Sequence, residues 1–248
     1  MAAVLLRAAE WPACYGFERK VLTMSPEEML DTSLNKAMAA LTDRFKIPRE
    51  IIETIRNSMN ALHDQGLAPG LDVGVRAPRF QLLDAAGEDV SLAERLEQGP
   101  VVLSFYRGDW CPYCNLELRA LQQRLGAIRA LGASLIAVSP QMPRNALSLV
   151  EKHHLDFDVL SDPLQQVIAR YKLLFSVPEP VRKIYRDLGL DLTQRTADKS
   201  WNLPVPATFI IGRDGIIRAR HVSLNYTVRM EPGDIVDMLK RLHMSQAA

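Results

Sequence analysis

Residues 101–119, VVLSFYRGDWCPYCNLELR, constrain this chain more than any other stretch. The segment opens with a run from Val101 to Tyr106 of the length and β-branched, aromatic content of a buried strand. Arg107-Gly108-Asp109 breaks it. Cys111-Pro112-Tyr113-Cys114 follows, and Leu116, Leu118, Leu121, Leu125 and Ile128 then recur at helical spacing. The chain therefore turns from strand to helix at a Cys-x-x-Cys pair, a pattern that reads as a redox motif.

Helix amides and the helix dipole favour negative charge at a helix N-terminus. Thiols placed there ionise more easily, and the thiolate is the nucleophile. Cys111, at the exposed end of the turn, is expected to take that role. Cys114, three residues on, is placed to attack a sulfur-linked intermediate on Cys111 and close a disulfide. Pro112 at the first helical position sacrifices no hydrogen bond, because that amide has no partner inside the helix. Two other readings compete. A structural zinc site needs four ligands, whereas Cys14 is remote and His153 and His154 are adjacent. Inert packing of two cysteines is the other.

Composition sets the remaining bounds. The chain has 248 residues, 48% hydrophobic and 24% charged, which suits a globular protein with one large domain or one and a half. A formal net charge of +1 makes no electrostatic case for nucleic acid or membrane surfaces. Three cysteines build no disulfide framework, so a reducing, cytoplasmic setting is expected. No run reaches the ~18 apolar residues of a membrane span. The first ten residues lack a basic start and are interrupted by Arg7, unlike a signal peptide. Residues 1–23 read as a disordered leader.

Ser25-Pro26-Glu27-Glu28 reads as a capping box with proline at the first helical position. Met29, Leu30, Leu34, Met38, Leu41 and Phe45 give that helix an apolar stripe. Pro48 opens a second helix, with Ile51, Ile52, Ile55, Met59 and Leu62 on one face and Gly66 beyond its end. Residues 1–72 are thus a leader and helical hairpin, whose stripes must pack on the main domain or on another subunit. Residues 73–248 form the redox domain. A linker over residues 67–74 precedes a small hairpin, Phe80 to Leu83 with Glu88 to Val90. Strands are expected at 133–138 and 157–160, and helices at 144–154, 163–171 and 180–188. Residues 193–203 look polar and irregular. Asp214-Gly215 signals a hairpin over 208–218, and 234–243 closes the chain as an amphipathic helix. The pattern is an α/β sandwich on a mixed sheet.

This order of elements resembles the thioredoxin fold, and more closely the peroxiredoxin-like proteins of the AhpC/TSA type. The resemblance rests on residues 74–80, GVRAPRF; 105–114, FYRGDWCPYC; 159–163, VLSDP; and 205–215, VPATFIIGRDG. It implies a thioredoxin-like fold without metal or cofactor. It also implies that Pro206, in the Val205-Pro206-Ala207-Thr208 loop, faces the cysteines through a cis bond beside Thr208. Peroxiredoxins usually carry Thr or Ser three residues before the reactive cysteine and proline seven before it; Gly108 and Ser104 stand here. Many have an arginine where this chain has Pro206. Thioredoxins bury an acid at the end of the redox strand, where Ser104 or a neighbour stands here.

Arg107 is a candidate to stabilise the Cys111 thiolate and bind a peroxide oxygen. Its alternative is a surface charge paired with Asp109. Trp110 and Tyr113 frame Cys111 and are candidates for an apolar substrate pocket, or simply packing. Lys199 and Trp201 are weaker candidates for its rim. Glu117 is a candidate proton relay, although a helix glutamate is usually a solvated charge. The resulting expectation is a thiol-dependent peroxidase. Cys111 is peroxidatic, Cys114 is resolving, a thioredoxin-type donor is the reductant, and the chain forms a homodimer. A protein disulfide reductase like thioredoxin or TlpA, and a non-catalytic redox sensor or scaffold, are the alternatives.

Overall fold

The structure, a computed structural model, describes residues 33–44 and 46–246. The expected leader, the capping box at Ser25, the stripe residues Met29, Leu30 and Phe45, and Cys14 lie outside them. Among the described residues two helices come first, α1 (Leu34–Arg44) and α2 (Arg49–Asp64). The chain then runs β1 (Gln81–Asp84), β2 (Asp89–Ser91), α3 (Leu92–Gln98), β3 (Val101–Phe105), α4 (Pro112–Ala130), β4 (Ser134–Ser139), α5 (Pro143–His153) and β5 (Asp158–Ser161). It continues with α6 (Gln166–Arg170), β6 (Leu174–Ser176), α7 (Glu179–Asp187), β7 (Asn202–Pro204), β8 (Ala207–Ile211), β9 (Ile217–Val222) and α8 (Pro232–Gln246).

Seven strands form one mixed sheet in the order β2-β1-β5-β4-β3-β8-β9. Strands β3, β4 and β5 are parallel, and β1, β8 and β9 join antiparallel. Central strands covered on both faces need apolar side chains in both directions. In β3, Val101, Leu103 and Phe105 enter one core while Val102 enters the other, as the two-residue period of a strand requires. One core takes Leu92 and Leu96 of α3, Val167 and Ile168 of α6, and Val181 of α7. The other takes Leu118 and Leu121 of α4, Leu149 of α5, and Ile235 of α8.

The apolar stripes of α1 and α2 are buried on opposite sides of this sheet. Leu34, Met38 and Leu41 join the core under α4, and Met59 and Leu62 join the core under α7. Much of the stripe that suggested self-association is therefore covered within the chain, with Ile52 left exposed. The segment between α2 and β1 is pinned: Gly70 N–H donates to Lys172 O, and Gly74 N–H to Ile217 O.

Both expected hairpins form, β1–β2 and β8–β9. Residues 193–203 are less irregular than expected, since β7 pairs with β6 in a separate two-stranded ribbon. Strands of three residues are too short to show a period. The expected cis bond before Pro206 is not found: no cis peptide occurs among the described residues. The Val205 N–H donates to Leu173 O, and the chain passes from β7 directly into β8. No tight reversal is required there, so the intrinsically favoured trans bond serves.

Candidate active site

The two cysteines sit where β3 hands over to α4. Cys111 is the N-cap residue, in extended conformation, and Pro112 begins the helix. Both are free thiols, and both are buried; Cys111, expected at the exposed end of the turn, is 1% exposed because it packs in the core under α4. The Cys114 backbone and thiol both hydrogen-bond to the Cys111 sulfur. Burial opposes ionisation of Cys111. The Cys114 thiol and the positive charges of Arg107 and Arg229 outweigh it, lowering the Cys111 pKa to about 6. Cys114 moves the other way, well above the ordinary thiol value, through burial and through its hydrogen bond to and the charge of Cys111. The pair is therefore asymmetric, with ionisation favoured at Cys111 and disfavoured at Cys114.

Arg107 is not the surface charge of the alternative reading. It is 4% exposed and lies in an aromatic box, its Cζ 4.4 Å from the Tyr226 ring centroid, 4.8 Å from that of Trp110 and 5.8 Å from that of Tyr185. One Nη2 hydrogen donates to the Tyr185 hydroxyl, while Nε is buried without an acceptor. The faces of the rings favour a cation at such distances. Trp110 thus holds Arg107. Gly108 makes this arrangement feasible, since its φ of +141° favours glycine and its Cα lies against the Trp110 indole.

Tyr113 is directed away, toward α1. Its hydroxyl is 2.8 Å from Thr42 Oγ1, and its ring packs edge-on against Tyr226. Thr208 is buried opposite Ser104 in the β3–β8 register. A cavity of about 10 Å³, room for a single water, is bounded by Arg107, Phe175, Tyr185, Val205, Pro206 and Tyr226, among others. Of the residues expected to line a substrate pocket, only Pro206 borders it; Trp110, Tyr113 and Thr208 do not. Trp201 and Lys199 form no rim to this cavity, and Trp201 instead carries the Arg186 guanidinium 4.9 Å from its ring centroid.

Glu117 is the largest departure from the sequence reading. It is 2% exposed, and its Oε2 accepts from Arg229 Nε at 2.6 Å. Arg229 Nη2 approaches Cys114 Sγ at 3.7 Å, and the Arg107 backbone N–H approaches the same sulfur at 3.5 Å. Arg229 Nη1 donates to the carbonyls of Tyr226 and Val228. Burial pushes the Glu117 carboxyl up to about 7 despite the cation beside it. Arg229 and Tyr226 lie more than 100 residues from the cysteines in a segment with no motif, and Tyr185 lies in α7. Nothing in the local sequence marks any of the three.

The AhpC/TSA family model matches residues 73–220. This chain belongs to that family. It is 30% identical over 101 residues to peroxiredoxin Bcp of Escherichia coli, covering 41% of this chain and 64% of the relative. It is 24% identical over 192 residues to chloroplastic peroxiredoxin Q of Populus jackii, covering 77% of this chain and 73% of that one. The match thus spans just under two thirds of the length of the bacterial relative. Among solved structures, peroxidoxin BcpB of Mycobacterium tuberculosis superposes with a TM-score of 0.54 at 21% identity, covering 69% of this chain and 97% of that one. Peroxiredoxin 6 of Arenicola marina gives 0.58 at 17% identity, covering 71% and 76%. These likenesses establish the peroxiredoxin form of the thioredoxin fold. Against the usual family pattern, Gly108 and Pro206 stand where a hydroxyl and a guanidinium are common, while Arg107 and Arg229 bring two guanidiniums to the sulfur pair.

Proposed function

We propose that this protein is a thiol-dependent peroxidase that reduces hydroperoxides through Cys111 and Cys114. The observation that carries the reading is the sulfur pair at the start of α4: two free, buried cysteines with the Arg229 guanidinium 3.7 Å from Cys114 Sγ, the Cys111 pKa lowered and that of Cys114 raised. The Cys111 thiolate attacks the terminal oxygen of the hydroperoxide. An S–O bond forms, the O–O bond breaks, and the alkoxide takes a proton and leaves as an alcohol. Cys111 is then a sulfenic acid, and Cys114 displaces its hydroxyl to give an intramolecular disulfide. A thioredoxin-type dithiol, in the cytoplasm, returns the pair to thiols.

Arg107 takes the part of the arginine that stands elsewhere at the position of Pro206. Its buried Nε, without an acceptor, is the donor offered to a peroxide oxygen. The likeness to relatives named peroxiredoxins favours this reading over protein disulfide reduction. A sulfur at 1% exposure suits a two-oxygen substrate, and its reduction by a thioredoxin-type donor requires the start of α4 to open. Dimerisation is not needed for the chemistry, since all of these groups come from one chain.

Stopped-flow tryptophan fluorescence of the reduced protein, mixed with hydrogen peroxide or an organic hydroperoxide, tests the proposal. Trp110 lies close to Cys111, and a fast change that scales with peroxide concentration and disappears in Cys111→Ser is expected. No change within seconds, or a change that persists in that variant, would exclude the peroxidase.

A further inference from the structure

Cys114 faces a difficulty as an attacking group. Burial favours its protonated form, and a thiol is a poor nucleophile. The disulfide-forming step therefore needs a base. Solvent is not at hand, because Cys114 is fully buried.

Glu117 meets the requirement by position. It follows Cys114 by three residues in α4, so the two side chains share one helix face. The guanidinium of Arg229 binds both. Its Nε is 2.6 Å from Glu117 Oε2 and its Nη2 is 3.7 Å from Cys114 Sγ. Those two nitrogens form one edge of a rigid planar fork, so oxygen and sulfur are held side by side. Arg229 is itself fixed, since its backbone N–H donates to Asn35 Oδ1 and its backbone carbonyl accepts from Asn35 Nδ2. The charged and titratable groups around Glu117 are few. Cys114 stands on its own helix with Cys111 beyond it, and Arg229 on the segment before α8. Arg107 acts on the two sulfurs, and His221 of β9 lies near Arg229. Ser104 of β3 adds a hydroxyl.

We infer that Glu117 is the proton acceptor for Cys114 during disulfide closure and that Arg229 positions the two groups for the transfer. The inference rests on the peroxidase reading only for how Cys111 becomes oxidised. Glu117 carboxylate takes the Cys114 proton, and the new thiolate attacks the sulfur of the Cys111 sulfenic acid. An S–S bond forms and the S–O bond breaks. The departing hydroxide takes the proton from Glu117 and leaves as water, which regenerates the carboxylate. A carboxyl near pH 7 is suited to both halves of this exchange.

The test uses the full-length reduced protein and methyl methanethiosulfonate, a small reagent that places a methylthio group on Cys111 without any peroxide. Transfer of that sulfur linkage to Cys114, with release of methanethiol, is followed by acid quench and mass spectrometry. Glu117→Gln is expected to close roughly 100-fold more slowly than wild type and to lose the wild-type rate inflection near neutral pH. Glu117→Asp should recover part of the rate. Closure in Glu117→Gln within about threefold of wild type, with an unchanged pH profile, overturns the proposal, and a purely structural ion pair would give that result. If Glu117→Gln does not fold, infrared spectra of wild type decide the matter. A protonated-carboxyl band that titrates between about pH 6 and 8 and shifts on disulfide formation supports the proposal. Its absence overturns it. Closure that depends on Glu117, in a protein inert to peroxide, supports the proton path and rejects the peroxidase reading alone.

Discussion

A Cβ on Gly108 would stand 2.5 Å from Trp110 Nε1. The indole occupies that space because it stacks on Arg107, whose Cζ is 4.8 Å from its ring centroid. The hydroxyl residue common in the family three positions before the reactive cysteine is therefore incompatible with this turn. Gly108→Thr is expected to lower stability by about 1–3 kcal/mol through overpacking and positive-φ strain. It should also slow Cys111 oxidation, although it restores the family residue. Chemical denaturation and the fluorescence rate with peroxide measure the two effects. A variant as stable as wild type and faster with peroxide would contradict the role assigned to the Trp110–Arg107 stack.

Arg107 and Arg229 lower the Cys111 pKa, and the effect is readable by alkylation. The rate of iodoacetamide modification of Cys111 should rise with pH through an inflection near 6. Arg107→Met removes one cation and should move the inflection upward by about 1–3 pH units, with slower oxidation at pH 7. An unchanged inflection would mean that Arg107 contributes only packing.

Glu231 caps a helix distant from it in sequence. Its Oε2 accepts from Leu34 N at 2.8 Å and its Oε1 from Asn35 N at 2.9 Å, which ties the start of α1 to the segment that carries Arg229. Glu231→Ala should cost about 1–2 kcal/mol of stability, in the range of a lost N-cap. It should also loosen α1 over Tyr113, seen as faster amide exchange in residues 34–44. Exchange in α1 unchanged from wild type would show that the apolar stripe alone holds the helix.

His153 is half-buried with neither ring nitrogen hydrogen-bonded, and burial, with the like charges of Lys152 and Arg119, lowers its pKa to about 4. The unfolded chain binds a proton there first, near the ordinary histidine value of 6.5. Its stabilising effect is therefore complete above 6.5 and is lost as the pH falls toward 4. The melting temperature of wild type should fall more steeply across that window than that of His153→Leu. Parallel curves would place the acid sensitivity elsewhere.

The redox motif, its strand and its helix were legible because each carries its signal within a few residues. Val101 to Tyr106 is continuously apolar, Pro112 opens the helix, and Leu118 and Leu121 keep its period. The β8–β9 hairpin announced itself through Asp214-Gly215 for the same reason. The conformation of Pro206 was read from resemblance alone, and the geometry of the β7–β8 junction overruled it.

The sequence by itself determined an α/β sandwich on a mixed sheet with a Cys-x-x-Cys pair at a strand-to-helix turn, because periodicity, capping and the spacing of Cys111 and Cys114 are local properties, and its resemblance to the AhpC/TSA proteins added the thioredoxin-like form. Only the tertiary structure decided which charges surround those sulfurs. Burial turned Glu117 from an apparent surface charge into the partner of Arg229, 112 residues away along the chain, and enclosed Arg107 between Trp110, Tyr185 and Tyr226. The physical reason is that pKa values and ion pairs depend on distance and desolvation in space, and both are set by how α4, α7 and the segment before α8 pack against one sheet.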